Sequence, residues 1–456
     1  MTKKSLHILA CCLLSTGIFT SCWQDRSGEY YALINSQKWI YETMLQDYLF
    51  YEDLETKEEQ DINFFEKPQQ FLSSIISSKD QKNGVNFSHV DSVEITQATR
   101  ALVRPSFGME GAFIRIPDGS EGIRIIYTEK DSPAEEAKLK RGDWIIAANG
   151  QKINSTDYKK YILEPTKAYK FTIGALNGEK FDTLGVVQMP DPRPVKTNHI
   201  FDTHIVNSGS RKAFYMLYNE FGNDEEQLKA LFAQLAGQQV DDIILDLRYN
   251  GGGYVATSQL LSTNLAPQEA LNQPFLKMTF NDKINKTDIY TLDANLLSNA
   301  TPISYENLYI ITSENTASAS EILINGLRPY MKGRIFQVGT ATFGKNLAQH
   351  PYRNETAPGI ELWLTTCSLS NSEDFGDYFK EGLPADFTIQ ENLAGPLGDF
   401  GTPEDSLMTP ILYRMENGTF PVDNPKPQYS RATAGVQITF NPIDHRPKVG
   451  KLPWRD

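Results

Sequence analysis

Two apolar runs that each end abruptly in a loop of small residues set what this chain can build. Val240-Asp-Asp-Ile-Ile-Leu-Asp-Leu-Arg248 reads as a strand and stops at Tyr249-Asn-Gly-Gly-Gly253. Leu308-Tyr-Ile-Ile-Thr312 reads as a second strand and feeds Asn315-Thr-Ala-Ser-Ala-Ser-Glu321. Helical patterns lie around them. Leu228, Leu231, Phe232 and Leu235 share one face after a cap at Asn223 or Asp224, and Ser258-Gln-Leu-Leu261 begins another helix. Strands alternating with helices predict an α/β core, with its site at the carboxyl ends of the strands.

The second loop carries candidate chemistry. Ser318 and Ser320 stand at a helix start, near free backbone N–H groups and the positive end of the helix dipole. A serine hydroxyl is a poor nucleophile until a base takes its proton. Thr342-Phe-Gly-Lys345 follows, and its lysine can be that base only if burial makes the amine neutral. Phe343, Leu347 and Ile335 lie close enough in sequence to line an apolar pocket for it. Taken alone, the serine string is a helix cap with Glu321 as its box residue, and Lys345 an ordinary lysine in a glycine turn.

The strings occur together, and together they resemble one family. Thr316-Ala-Ser-Ala-Ser-Glu321, Thr342-Phe-Gly-Lys345 with Gln349 four residues beyond, and Asp246-Leu-Arg-Tyr-Asn-Gly-Gly-Gly253 resemble motifs of the C-terminal processing (tail-specific) serine peptidases. Ser132-Pro-Ala134, Leu139, Arg141-Gly-Asp143 and Asn149-Gly150 resemble the PDZ domain inserted in that family, and the likeness covers roughly residues 105 to 395. It implies a crotonase/Clp-like peptidase core with a mainly-β PDZ domain. It also implies a serine endopeptidase that cuts proteins or peptides near their C-termini through an acyl-enzyme. In that reading Ser318 is the nucleophile, Lys345 the general base and Gln349 the uncharged group that orients it. The N–H of Ala319 and a glycine, Gly252 before Gly253, form the oxyanion hole. Phe107, Gly108, Met109, Glu110 and Gly111 match the loop that holds a peptide carboxylate, with Glu110 an awkward charge there. No cofactor or metal is implied.

Two departures from the family pattern stand out. Ser318 and Lys345 are 27 residues apart, two more than the family spacing, with the extra length around Pro329-Tyr-Met-Lys-Gly333. Asn346 replaces the glycine usual after the lysine. Other readings are a catalytically silent PDZ lipoprotein that binds peptides as a scaffold, and a serine peptidase that uses His350 as its base. A thioester-directed crotonase reading lacks a nucleotide-binding signature.

The chain divides into five stretches. Residues 1–21 read as a lipoprotein signal: Lys3 and Lys4, an apolar run too short to span a bilayer, then Thr20-Ser21 before Cys22. Lipidation of Cys22 would anchor the protein in a bacterial cell envelope. Residues 22–104 give a tether and a helical region without visible chemistry, 105–188 the PDZ domain, 189–395 the peptidase core and 396–456 an irregular tail. The net charge of −13 argues against a nucleic-acid partner. Once Cys11, Cys12 and Cys22 are discounted, only Cys367 is left, so no internal disulfide can form, and its place in an apolar run predicts a buried thiol.

Overall fold

The computed structural model describes residues 27–55, 61–92, 105–299, 301–422, 435–445 and 448–452. The stretch read as a signal, residues 1–21, and Cys22 lie outside these residues. No described helix is long and apolar enough to cross a membrane.

The described chain starts with α1 (Ser27–Asp47), α2 (Tyr51–Glu55) and α3 (Pro68–Ile75). Trp39, Ile40, Met44 and Tyr48 recur at helical spacing and pack with Phe71, Leu72 and Ile75. This helical layer also covers Leu362 and Leu364, so it is fastened to the sheet that carries the site.

The PDZ sheet follows: β1 (Met109–Arg115), β2 (Glu121–Thr128), β3 (Trp144–Ala148), β4 (Lys170–Asn177) and β5 (Lys180–Gln188). Ser132 caps the short helix Pro133–Glu136, its side chain accepting from the Glu135 N–H. Arg193–Pro194 pairs with Pro105–Ser106, so the chain enters and leaves this domain at one point. Arg141, of the Arg141-Gly-Asp143 string, reaches out of the domain to Glu391 at 2.6 Å.

The core holds β6 (Ile200–Ser208), β7 (Arg211–Tyr218), β8 (Asp242–Asp246), β12 (Asn307–Thr312), β13 (Ile335–Gly339) and β16 (Phe387–Thr388), side by side in that order. From β7 onward all pairings are parallel. The middle strands are buried on both faces. Ile243 and Leu245 face α4 (Glu225–Leu235), α5 (Val255–Leu265) and α6 (Ala319–Leu327), while Ile244 faces the PDZ side and α7 (Thr409–Asn417). Two-sided burial explains why these strands read as continuous apolar runs rather than alternating ones.

A second sheet stands against the same helices. Its order is β9 (Gly252–Tyr254), β18 (Val449–Lys451), β14 (Leu347–Tyr352), β15 (Ile360–Ser370), β10 (Pro274–Phe280) and β11 (Thr287–Thr291). Cys367 lies buried in β15 as a free thiol.

The expectation of an irregular tail over 396–456 is corrected here. Alongside α7, β17 (Gln437–Phe440) joins the PDZ sheet beside β1, and β18 enters the second sheet between β9 and β14. Both strands are short, and backbone pairing, joined in β17 by the single ring of Phe440, holds them, with no periodic apolar pattern. Periodicity therefore gave no sign of them.

Candidate active site

The parallel sheet presents two loops side by side at its carboxyl edge because β8 and β12 are neighbours in register, Asp246 opposite Ile311. The loop after β8 is anchored from beneath by Arg248. This guanidinium is fully buried and binds Asp246 at 2.6 Å, Asp405 at 2.5 Å and Glu391 at 2.8 Å. Burial works against its charge, but the three carboxylates outweigh it and hold Arg248 well above its usual value. Asn250 then turns the loop, its Nδ2 donating to Tyr218 O and its Oδ1 accepting from Gly252 N–H at 2.9 Å. Gly253 has φ +140°, and a Cβ there would stand 2.1 Å from Phe221 O, so only glycine fits.

The second loop is sewn to the first. Thr316 Oγ1 donates to Leu247 O, and Ala317 N–H and Ser320 Oγ both donate to Asn250 O. Ser320 is thereby committed to the scaffold. Ser318 differs: it is buried, and its Oγ has no hydrogen-bond partner among the described residues. Its backbone lies at φ +58°, ψ −110°, a conformation that costs a non-glycine residue about 1–3 kcal/mol. Such strain persists only where the surroundings enforce it.

Glu321 supplies that enforcement. One carboxylate oxygen accepts from Ser318 N–H (2.7 Å) and Lys345 N–H (2.8 Å). The other accepts from Thr342 Oγ1 and Gly344 N–H, both at 2.6 Å. The helix start and the lysine loop thus share one acceptor. Residues 328–334, where the extra spacing falls, form a turn after α6 and leave this junction intact.

Lys345 is fully buried, with Phe87, Phe343 and Leu347 clustered beside it. Ile335 packs instead against the helical core. Burial lowers the lysine pKa to about 7, against the opposing pull of Asp80 and Glu321. Its Nζ donates to Gln349 Oε1 at 2.6 Å and to Lys448 O at 2.8 Å. A neutral amine has two N–H bonds and one lone pair, so both donors are used and the lone pair is left to take a proton. His350, one residue on, points to the opposite face of β14 and meets Thr366 Oγ1.

Three groups here went unnoticed in the sequence. Gln349 Nε2 donates to Thr365 Oγ1, whose own proton goes to Asp80 Oδ1 at 2.5 Å. Burial pushes the Asp80 carboxyl up to about 6. The helical region read as chemically silent therefore ends in a carboxylate that fixes which way Gln349 points. No local motif marks Asp80, which lies 265 positions before Lys345. Asn219 is the third group. It is buried, both its side-chain polar atoms lack partners among the described residues, and it lines a cavity of about 670 Å³ with Gly251, Gly252, Phe87 and Tyr127.

Among the predicted oxyanion donors, Ala319 opens α6 beside Ser318, and Gly252 and Gly253 lie in β9, which pairs with β18. The N–H of Gly252, the glycine preferred from the sequence, already donates to Asn250 Oδ1 at 2.9 Å and is not free for an oxyanion in this state. The predicted carboxylate loop lies elsewhere, in the PDZ domain. Phe107 is in that domain's core, Gly108 has φ +67° and abuts Ser132, its N–H bonds Ser106 Oγ, and Met109, Glu110 and Gly111 start β1.

Comparison with known proteins agrees with this layout. The family model for peptidase family S41 matches residues 212–388, that for the S41 N-terminal domain matches 35–89, and that for the PDZ domain matches 124–167. The carboxy-terminal processing protease CtpB of Bacillus subtilis is 24% identical over 277 residues, 57% of this chain and 52% of that protein. A carboxyl-terminal-processing protease of Picosynechococcus is 26% identical over 296 residues, 62% of this chain and 65% of its own length. The aligned parts thus span between half and two thirds of these relatives. A solved Bacteroides fragilis chain, described provisionally as an S41 protease, superposes with a TM-score of 0.72 at 28% identity, over 84% of this chain and 97% of that one. With an S41 N-terminal domain, a PDZ domain and the S41 core in this order, the chain belongs to peptidase family S41.

Proposed function

We propose that this protein is a serine endopeptidase that works through a Ser318/Lys345 dyad. The observation that carries the reading is the lysine itself: fully buried, with its pKa lowered to about 7, and bonded through its backbone to the same Glu321 carboxylate as Ser318. Neutral Lys345 takes the Ser318 proton as Oγ attacks the scissile carbonyl, then returns it to the leaving amine; water afterwards hydrolyses the acyl-enzyme. The Ala319 N–H and the glycine loop face the developing oxyanion. Gln349 accepts from the amine without adding a charge that would keep it protonated. By likeness to the processing proteases above, the substrates are proteins or peptides cut near their C-termini, with the PDZ domain selecting or gating them. The Cys22 signal pattern adds a lipid anchor in a bacterial envelope.

The test is cleavage of an unstructured protein by the wild-type chain beside Ser318→Ala and Lys345→Ala. Both variants should fold and lose at least about a thousandfold in rate, on the order of 4 kcal/mol. Cleavage retained in either would remove that residue from the mechanism.

A further inference from the structure

The two places where an S41 peptidase with a PDZ domain would hold an extended peptide are both filled, and by one stretch of this chain. The exposed edge of a PDZ sheet takes a peptide as an added strand. Here β17 lies on that edge, antiparallel to β1, with Gln437 opposite Arg115 and Ile438 opposite Ile114. Phe440 sits between Phe113 and Tyr158, its ring centroid 4.0 Å from that of Tyr158. The chain then turns through Asn441 and Asp444, which bonds Asn315 at the start of the serine loop.

Eight residues after Phe440 the stretch reaches the catalytic cleft. Lys448 bonds Asn315 Oδ1 through its amine and accepts from Lys345 Nζ through its carbonyl. Strand β18 runs between the glycine strand β9 and the lysine-bearing strand β14, Gly450 opposite Gly253 and Lys451 opposite Gln349. Leu452 N–H donates to Gln349 O. Gly450 stands against the nucleophile: a Cβ on it would lie 2.5 Å from Ser318 Oγ. The contact is not a reacting one, because the Lys345 donors go to Gln349 and Lys448 and Ser318 Oγ bonds to neither.

We propose that residues 437–445 and 448–452 are a built-in occupant of both peptide tracks. In this state β17 covers the PDZ edge and β18 fills the slot in front of Ser318, and a protein substrate enters only when the segment leaves. The slot then takes an extended peptide running parallel to β9, with a glycine or a bare backbone against the serine. The proposal rests on the Ser/Lys reading for its consequence, but its geometry stands apart from it.

The experiment compares the full chain with Gly450→Val, whose side chain cannot fit against Ser318 Oγ, and with Phe440→Asp, which loosens the PDZ end. Labelling of Ser318 by a fluorophosphonate and cleavage of an unfolded protein are measured together. If nine-tenths of the molecules hold the segment in place, emptying the slot raises both rates about tenfold. A synthetic peptide of residues 437–452, added to Gly450→Val, should bring the rates down again. A folded Gly450→Val that labels no faster than the parent, with no effect of the peptide, overturns the proposal and makes β18 a plain structural strand. Should Gly450→Val fail to fold, Phe440→Asp decides by the same readout. If no chain is labelled at all, binding of the fluorescent peptide to Gly450→Val separates the two ideas. Binding keeps the occupancy and sinks the dyad, and its absence sinks the occupancy.

Discussion

Arg248 and Lys345 are both basic side chains with essentially no exposure, held at the same edge of the core, and their surroundings treat them in opposite ways. Arg248 has three carboxylates on its guanidinium, which keep it charged despite burial. Among the described residues Lys345 Nζ donates to a carboxamide and a backbone carbonyl, and burial brings its pKa down to about 7. Moving an amine from 10.5 to about 7 corresponds to roughly 5 kcal/mol in favour of its neutral form. Burial alone does not decide whether a buried basic group keeps its charge; the charge of its partners does. Arginine suits the first place because it stays protonated and binds carboxylates in pairs, and lysine the second because it can lose its proton.

The largest break in this comparison is Arg248→Met. It leaves Asp246 and Asp405 buried without their main counter-charge, and removing one partner of such a cluster costs about 3–5 kcal/mol. Denaturant unfolding should register that loss. A change below about 1 kcal/mol would mean that the carboxylates give up their charge easily, contrary to the account above.

Gln349→Glu sharpens the same contrast by giving Lys345 the kind of partner Arg248 has. A carboxylate 2.6 Å from Nζ favours the ammonium, so the acid limb of the pH–rate profile should move up by about one unit or more. The sign follows from the base: its active form is neutral, so cleavage rises with pH through about 7 in the parent and later in the variant. At neutral pH the loss is about tenfold and recovers in alkali. An unchanged limb would show that Lys345 does not set it.

How much of this was legible in the sequence depended on how local the signal is. Strands β8 and β12, the glycine triple and the serine and lysine strings are contiguous, and each could be read in place. Glu321 was legible only as a helix-cap partner. Its bonds to Thr342 and Gly344 depend on a turn some twenty residues on. Strand β18 was invisible, because three residues with a central glycine carry neither periodicity nor apolar weight and pair only after the rest has folded. Asp80 was missed for a similar reason: it reaches Gln349 through Thr365, and all three lie on separate elements.

That relay gives the smallest and most discriminating prediction. Asp80 is the largest of the charges that pull the Lys345 pKa upward against burial, and its own pKa of about 6 leaves it mostly ionised where the enzyme would work. Asp80→Asn removes the charge and keeps one acceptor oxygen, whereas Thr365 and Tyr48 donate to the two separate oxygens of Asp80, so the loss of one of these bonds should cost about 1–2 kcal/mol of stability. A merely structural role would lower activity evenly at all pH values. Removing a negative charge from a lysine's surroundings instead moves the acid limb down, opposite to Gln349→Glu and by a smaller amount, because Asp80 acts from beyond two side chains rather than in contact. The pH profiles of the two single variants and the double variant decide this. Opposed shifts that partly cancel in the double place Asp80 and Gln349 on the same amine, whereas an Asp80→Asn profile that falls without moving reduces Asp80 to a buried strut.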